Sequence, residues 1–166
     1  MANPSGIGQP VRRVEDHRFI TGAGQYTDDI NRPGQTYAYF VRSPHAHATI
    51  KGIDLAAAKK SPGVRAILTG KELAADKIGG LICGWAIFNK DGSPMKAGAH
   101  PALAVDKVRY VGDHVAVIIA DTLNQAKDAA ELVLVDYDVH KASVSTADTQ
   151  KAGQPQVHTE APGNTC

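Results

Sequence analysis

Two cysteines in 166 residues, Cys83 and Cys166, leave little room for cysteine chemistry. They lie far apart with no CxxC spacing, so this chain alone cannot build a four-cysteine zinc or iron–sulfur site, and nothing indicates a disulfide scaffold. Charge of one sign is also missing: 18 Lys and Arg stand against 17 Asp and Glu. The basic residues are scattered, with Arg12-Arg13 and Lys59-Lys60 the only adjacent pairs, so neither nucleic acid nor an anionic membrane is expected as a partner. Long apolar runs are absent too. The longest, Val115 to Ala120, is far too short to span a bilayer. The first residues, MANPSGIGQPVRRVEDHRF, hold no apolar core of the signal-peptide kind. The expected location is the cytoplasm.

What is present is ordinary globular material, 43% hydrophobic and 21% charged, enough for one domain with its own core. Residues 1–35, rich in Gly, Pro and polar side chains, read as an extended N-terminal arm with one short strand around Gln25 to Thr27. TYAYFVRS, Thr36 to Ser43, is aromatic and β-branched and predicts a strand. Pro44 interrupts it, and strand character resumes through Ala46 to Ile53. Asp54 can cap a short helix, Leu55 to Lys60, which Ser61-Pro62-Gly63 must end. Val64 to Thr69 is a further strand, and Thr69 with Glu72 matches a capping box that opens a helical turn through Leu73.

Residues 75–100 show no period and hold five glycines, so they read as a long loop of a kind that is usually functional or in contact with something else. Beyond it come a short strand, a strand at Lys107 to Val111, and the buried strand Val115 to Ala120. Both faces of that last strand are apolar, which predicts a central position. Gly112 and Asp113 fit a two-residue hairpin connection between the two strands. Thr122 and Gln125 form a second capping-box match, and Leu123, Ala126, Ala130 and Val133 share one face of a helix. LVLVDYD then predicts a strand, and the polar stretch 139–166 a tail or linker. The core is therefore 36–138, and the fold class is α+β with a mixed sheet and two main helices.

Candidate chemistry is sparse. His45 and His47, two apart on an expected strand, leave the same face and could supply two zinc ligands. A third would have to come from His17, His100 or His114, and the plainer reading is a pair of edge or interface histidines. Asp28-Asp29 could act as carboxylates, but adjacent residues diverge on extended backbone and read more simply as a turn anchor. Gly6-x-Gly8 and Gly22-x-Gly24 lack the third glycine, preceding strand and following helix of a dinucleotide site. Ser43 precedes Pro44 without a nucleophile elbow, and Cys83 sits among apolar neighbours rather than in an electropositive setting. No catalytic, cofactor-binding or metal-binding residue is assigned.

Three blocks carry a specific resemblance: RRVEDHRFITGAGQYTDDI (Arg12 to Ile30), VRSPHAHATIKGIDLAAAKKSPGVRAILTG (Val41 to Gly70) and HPALAVDKVRYVGDHVAVIIADTLNQAKDAAELVLVDYD (His100 to Asp138). In this order and spacing, the chain resembles the N-terminal, α/β-hammerhead domain of the molybdopterin-binding large subunit of the molybdenum hydroxylases. That family comprises xanthine dehydrogenases, aldehyde oxidases and aerobic carbon monoxide dehydrogenases. The resemblance implies an intact enzyme that hydroxylates aldehydes or N-heterocycles, or oxidises CO, at a molybdenum held by a pterin cofactor. It also implies [2Fe-2S] clusters and FAD, often on a small and a medium subunit. The family's GGxFG and GxGE segments lie in later domains and are not found in these residues. The domain is thus expected to be a scaffold, inactive alone, with the tail leading towards missing cofactor-binding domains. Apolar surface around Trp85 to Phe88, and the strand of His45 and His47, are expected to be covered by other domains or subunits. The family usually follows its VDY with a Leu-Pro-Ala-Val type of segment, whereas Tyr137 here leads into DVHKASVST. A freestanding interaction module of the same fold is the alternative, and a small zinc enzyme using His45 and His47 a third.

Overall fold

The apolar run expected at the centre is central. In the computed structural model, which describes residues 12–82, 84–85 and 87–166, β5 (His114–Ala120) lies between β1 (Tyr37–Arg42) and β3 (Val64–Thr69) and is antiparallel to both. One face of this sheet is filled by α3 (Leu123–Glu131). Ala126 and Ala129 bring that helix close to Ile118, Ala120 and Ile67, with Ala58 and Val133 completing a dry cluster. Small residues on the helix face allow this approach, and Thr122 caps it by accepting the Gln125 N–H at 3.2 Å. The opposite face of the sheet carries Val117 and Ile119 with their cross-strand partners Phe40, Ala38, Leu68 and Ala66. None of these six is fully buried.

A second antiparallel sheet orders β4 (Lys107–Val108), β2 (Ala48–Asp54) and β6 (Leu134–Val139). Its core is Ala48, Ile50, Ala104 and Val108, joined by Val115 of β5. Val115 reaches this second core because the β1–β5 register slips there: Val41 pairs with Ala116, but Arg42 pairs with His114. The extra residue of such a bulge is free to re-aim its side chain.

Every strand pairing among the described residues is antiparallel, so the expected mixed sheet is instead two antiparallel sheets. The expected hairpin at Gly112-Asp113 is also replaced. β4 and β5 belong to different sheets, and Gly112, at φ +89°, turns the chain between them. β4 is shorter than the predicted Lys107 to Val111 because the next N–H, that of Arg109, is taken by the Asp113 carboxylate at 3.0 Å. No strand forms just before it; Ala104 N–H donates to the His114 carbonyl at 2.7 Å.

The remaining differences are local. Asp54 accepts the Ala56 N–H at 2.8 Å as a cap should, yet only a 3-10 turn, Ala58–Lys60, follows before Ser61. α2 (Gly70–Ala75) starts on the predicted Thr69–Glu72 capping box and runs two residues further than expected. The stretch 139–166, expected as a tail or linker, is held together by its own hydrogen bonds. Asn164 accepts the Val157 N–H at 2.8 Å and donates to the Thr149 and Pro155 carbonyls at 2.9 and 3.0 Å, gathering the segment around buried Ala161.

Contacts divide the chain into two units, Met1–Gln35 and Thr36–Cys166. In the first, the short strand expected at Gln25 to Thr27 is absent. The Asp29 carboxylate captures the Tyr26 N–H at 2.8 Å and winds Thr27–Asp29 into a 3-10 turn. A five-residue helix, α1 (Asp16–Ile20), precedes it, and Phe19 stacks on Tyr26 with ring centroids 5.2 Å apart.

Candidate functional site

Polar side chains concentrate where the chain passes between the sheets. Ser43, just past β1, is buried and fully engaged. Its N–H donates to the Asp113 carbonyl and its carbonyl accepts the Gly112 N–H, both at 2.8 Å. Its hydroxyl donates to the His45 carbonyl at 2.9 Å and accepts the His45 N–H at 3.0 Å. That hydroxyl holds the turn around Pro44. Asp113 is only 8% exposed. Its carboxylate accepts the Arg109 N–H and lies within hydrogen-bond reach of the Tyr110 hydroxyl. Burial, then the Asp113 charge and hydrogen bond, push the Tyr110 hydroxyl above the ordinary phenol range, with Arg42 opposing. Burial likewise raises Tyr137, and its bond to Ser43 pulls the other way.

The two candidate zinc ligands engage different partners. They lie in the bend before β2 rather than on the strand. The His45 ring meets Tyr137 edge-on at 5.0 Å between centroids, and His47 meets His140 at 5.3 Å. His47 Nδ1 is 3.0 Å from the Lys141 carbonyl, an acceptor, so Nδ1 carries the proton. His47 is buried by its own chain, His45 is half-buried, and Trp85 is 76% exposed. His100 meets Tyr110 edge-on and His114 stacks on Phe40. Among the described residues no three His, Cys, Asp or Glu are grouped to hold a metal ion. Asp28 and Asp29 sit in the exposed 3-10 turn of the first unit, as a turn anchor would. Gly6, Gly8 and Cys83 lie outside the described residues.

One cleft was missed by the sequence reading. It holds about 630 Å³ between the loop segments 80–82 and 97–101, the β4 end and the tail. Leu81, Ile82, Pro101 and Ala104 give it an apolar wall, and Lys107, Arg109, His100 and His158 a basic one. The wall is held by the Leu81 N–H donating to the His100 carbonyl at 2.7 Å. Arg109 Nε is buried with no hydrogen-bond partner among the described residues. A buried donor left unpaired costs about 1–3 kcal/mol, more on a charged group. The available signal was the K-V-R alternation: Lys107 and Arg109 leave the same side of extended backbone. No helix among the described residues is long and apolar enough to cross a membrane.

Two sheets joined at this corner, with one helix on one of them, match a known domain type. Residues 21–141 match the family described as aldehyde oxidase and xanthine dehydrogenase, a/b hammerhead domain. The chain belongs to this family. It is similar to the nicotine 6-hydroxylase large subunit of Paenarthrobacter nicotinovorans, 38% identical over 158 residues, covering 95% of this chain and 18% of that protein. It is also similar to the carbon monoxide dehydrogenase large chain of Afipia carboxidovorans, 42% identical over 134 residues, covering 80% of this chain and 15% of that one. Among solved structures, quinoline 2-oxidoreductase from Pseudomonas putida 86 superposes with a TM-score of 0.79 at 32% identity, covering 91% of this chain and 18% of that one. A Cu,Mo-CO dehydrogenase does so with a TM-score of 0.74 at 36% identity, covering 90% and 18%. The hammerhead chain thus spans less than a fifth of the length of these relatives.

Proposed function

We propose that this hammerhead domain is the scaffold part of the large subunit of a cytoplasmic molybdenum hydroxylase and has no catalytic activity of its own. The observation that carries the reading is the open face of the β1–β5–β3 sheet. Phe40 is 38% exposed there, beside half-buried Val117, Ile119 and Leu68, while the other face is packed on α3. Apolar sheet faces in self-contained domains are covered, and an open one marks a surface made for another domain. Trp85, Ile87 and Phe88 are exposed apolar side chains elsewhere in the sequence, on the loop before β4.

No cofactor is assigned to this chain itself in this reading, and its two cysteines are too few to supply the four thiolates of an iron–sulfur cluster. In the intact enzyme the molybdopterin cofactor belongs to later domains of the large subunit, and [2Fe-2S] clusters and FAD to a small and a medium subunit. The reaction class is oxidative hydroxylation of an aldehyde or N-heterocycle, or oxidation of CO, with selectivity set near the molybdenum.

The test is metal analysis and activity on two preparations, the chain alone and the complete large subunit with its partner subunits. The chain alone is expected to hold no molybdenum and to oxidise none of the three substrate classes, while the complete enzyme does both. Stoichiometric molybdenum in the chain alone, or a reading frame that stops at Cys166 in its natural gene, overturns the proposal.

A further inference from the structure

We infer that the cleft between residues 80–82, 97–101 and the β4 end receives an extended acidic segment from elsewhere in the same large subunit, with a carboxylate of that segment paired to Arg109. This deepens the large-subunit reading above and rests on it.

The charge arrangement calls for an incoming carboxylate. Arg109 lines the cleft; among the described residues its Nε is buried without a partner and its side chain makes one long bond, Nη1 donating to the Lys107 carbonyl at 3.3 Å. Asp113 lines the same cleft but its carboxylate is already engaged by the Arg109 N–H and Tyr110. Glu160, on the tail, is close enough to feel Arg109 and His158 but is exposed and forms no ion pair with either among the described residues. Lys107, His100 and His158 line the same cleft, and a guanidinium fork is matched by the two oxygens of a carboxylate.

The shape selects a polypeptide over a small anion. Sites for small ligands enclose most of the ligand, whereas this cleft is flanked by Leu81 and by Ile82, the latter 93% exposed. An extended segment can lay apolar side chains on Leu81, Ile82 and Pro101 while its carboxylate reaches Arg109. The walls stand close because Gly80 and Gly98 carry no side chain: a Cβ on Gly80 would lie 2.6 Å from the His100 carbonyl oxygen, and one on Gly98 2.5 Å from the His158 ring. A source in the same subunit is favoured because a tethered segment acts at millimolar effective concentration, which a separate subunit or second copy does not match.

The experiment is zero-length carbodiimide cross-linking of the complete enzyme, followed by peptide mapping. Lys107 supplies an amine at the cleft as it stands, and Arg109→Lys places a second one at the proposed ion pair. The expected result is an amide from position 107, or from 109 in the variant, to an Asp or Glu of the same large subunit outside residues 12–166. Its yield should exceed that at exposed Lys127 by about tenfold or more, as a preassembled pair reacts at high effective concentration. Cross-links only to Glu160 or Asp113, links to another subunit, or none above the Lys127 level overturn the inference. Molybdenum content of the same preparation separates the two proposals: molybdenum present without the cross-link rejects the cleft assignment alone, and molybdenum absent rejects the large-subunit reading itself.

Discussion

The carboxylate of Asp113 accepts the backbone N–H of Arg109 at 3.0 Å, and this bond ends β4 and starts the turn into β5. The same residue gives its backbone carbonyl to the Ser43 N–H, so Asp113 holds the exit of β4 with its side chain and that of β1 with its backbone. Replacing it with alanine leaves a donor unpaired in a buried corner. Asp113→Ala is expected to lower stability by about 1–3 kcal/mol, and Asp113→Asn by clearly less, because the amide oxygen still accepts. Urea unfolding of the chain measures both. Equal losses in the two variants would mean that the negative charge, rather than the acceptor, holds the corner.

The cap of α2 gives stability with a definite pH sign. Glu72 is held below the ordinary glutamate range, chiefly by the Thr69 hydroxyl, with the Thr69 N–H donating to it at 2.9 Å. A carboxylate depressed on folding contributes fully above its unfolded value and loses that contribution as pH falls through its folded one. The start of α2 is therefore expected to loosen on acidification, beginning at the ordinary glutamate range and continuing below it. Amide exchange at Lys71 and Glu72 reads this directly. Thr69→Ala should remove about 1 kcal/mol at neutral pH and flatten the acid dependence.

Why the helix caps were legible while the sheets were not has a physical basis. Thr69-x-x-Glu72 and Thr122-x-x-Gln125 are decided within one turn of chain, so side chain and backbone spacing alone specify them. The centrality of β5 was equally plain, since its apolar residues on both faces fit only an interior strand. The partner of β4 was not. Gly112-Asp113 has the composition of a hairpin, but the Asp113 side chain is turned to Arg109 and the strand pairs with β2 instead, more than fifty residues earlier in the chain. The cleft escaped for a related reason. The cleft's walls come from separated stretches, and only folding shows that the Arg109 guanidinium has no ion pair among the described residues.

Tyr137 gives a dependence at the other end of the scale. Burial raises its hydroxyl above the usual range, against a smaller opposing bond from Ser43. A group whose folded value is raised contributes stability that is complete below the unfolded value and is lost as pH climbs through the folded one. An alkaline decline is thus expected to begin at the ordinary tyrosine range. Ultraviolet difference titration should show one or more tyrosines ionising late, and Tyr137→Phe should remove one late ioniser and shrink the alkaline decline. An unchanged decline would place its cause elsewhere.

Gly70 opens α2 at a point where backbone lies against backbone. A Cβ there would sit 2.3 Å from the Ala104 carbonyl oxygen and 2.7 Å from that of Leu103. Alanine is the better helix former by about 1 kcal/mol, so propensity alone favours Gly70→Ala. The contact opposes it, and the contact should win. Leu103 and Ala104 are buried, and the Ala104 N–H is fixed to the His114 carbonyl at 2.7 Å, so neither carbonyl can withdraw without disturbing the core. Gly70→Ala is therefore expected to destabilise by about 1–3 kcal/mol, the range of an overpacked site. Gly52→Ala is the control, since a Cβ on Gly52 meets nothing within 4 Å. The urea midpoint should fall for the first and hold for the second. Equal midpoints would show that α2 moves freely against the segment before β4, and that the close approach is not a constraint on the fold.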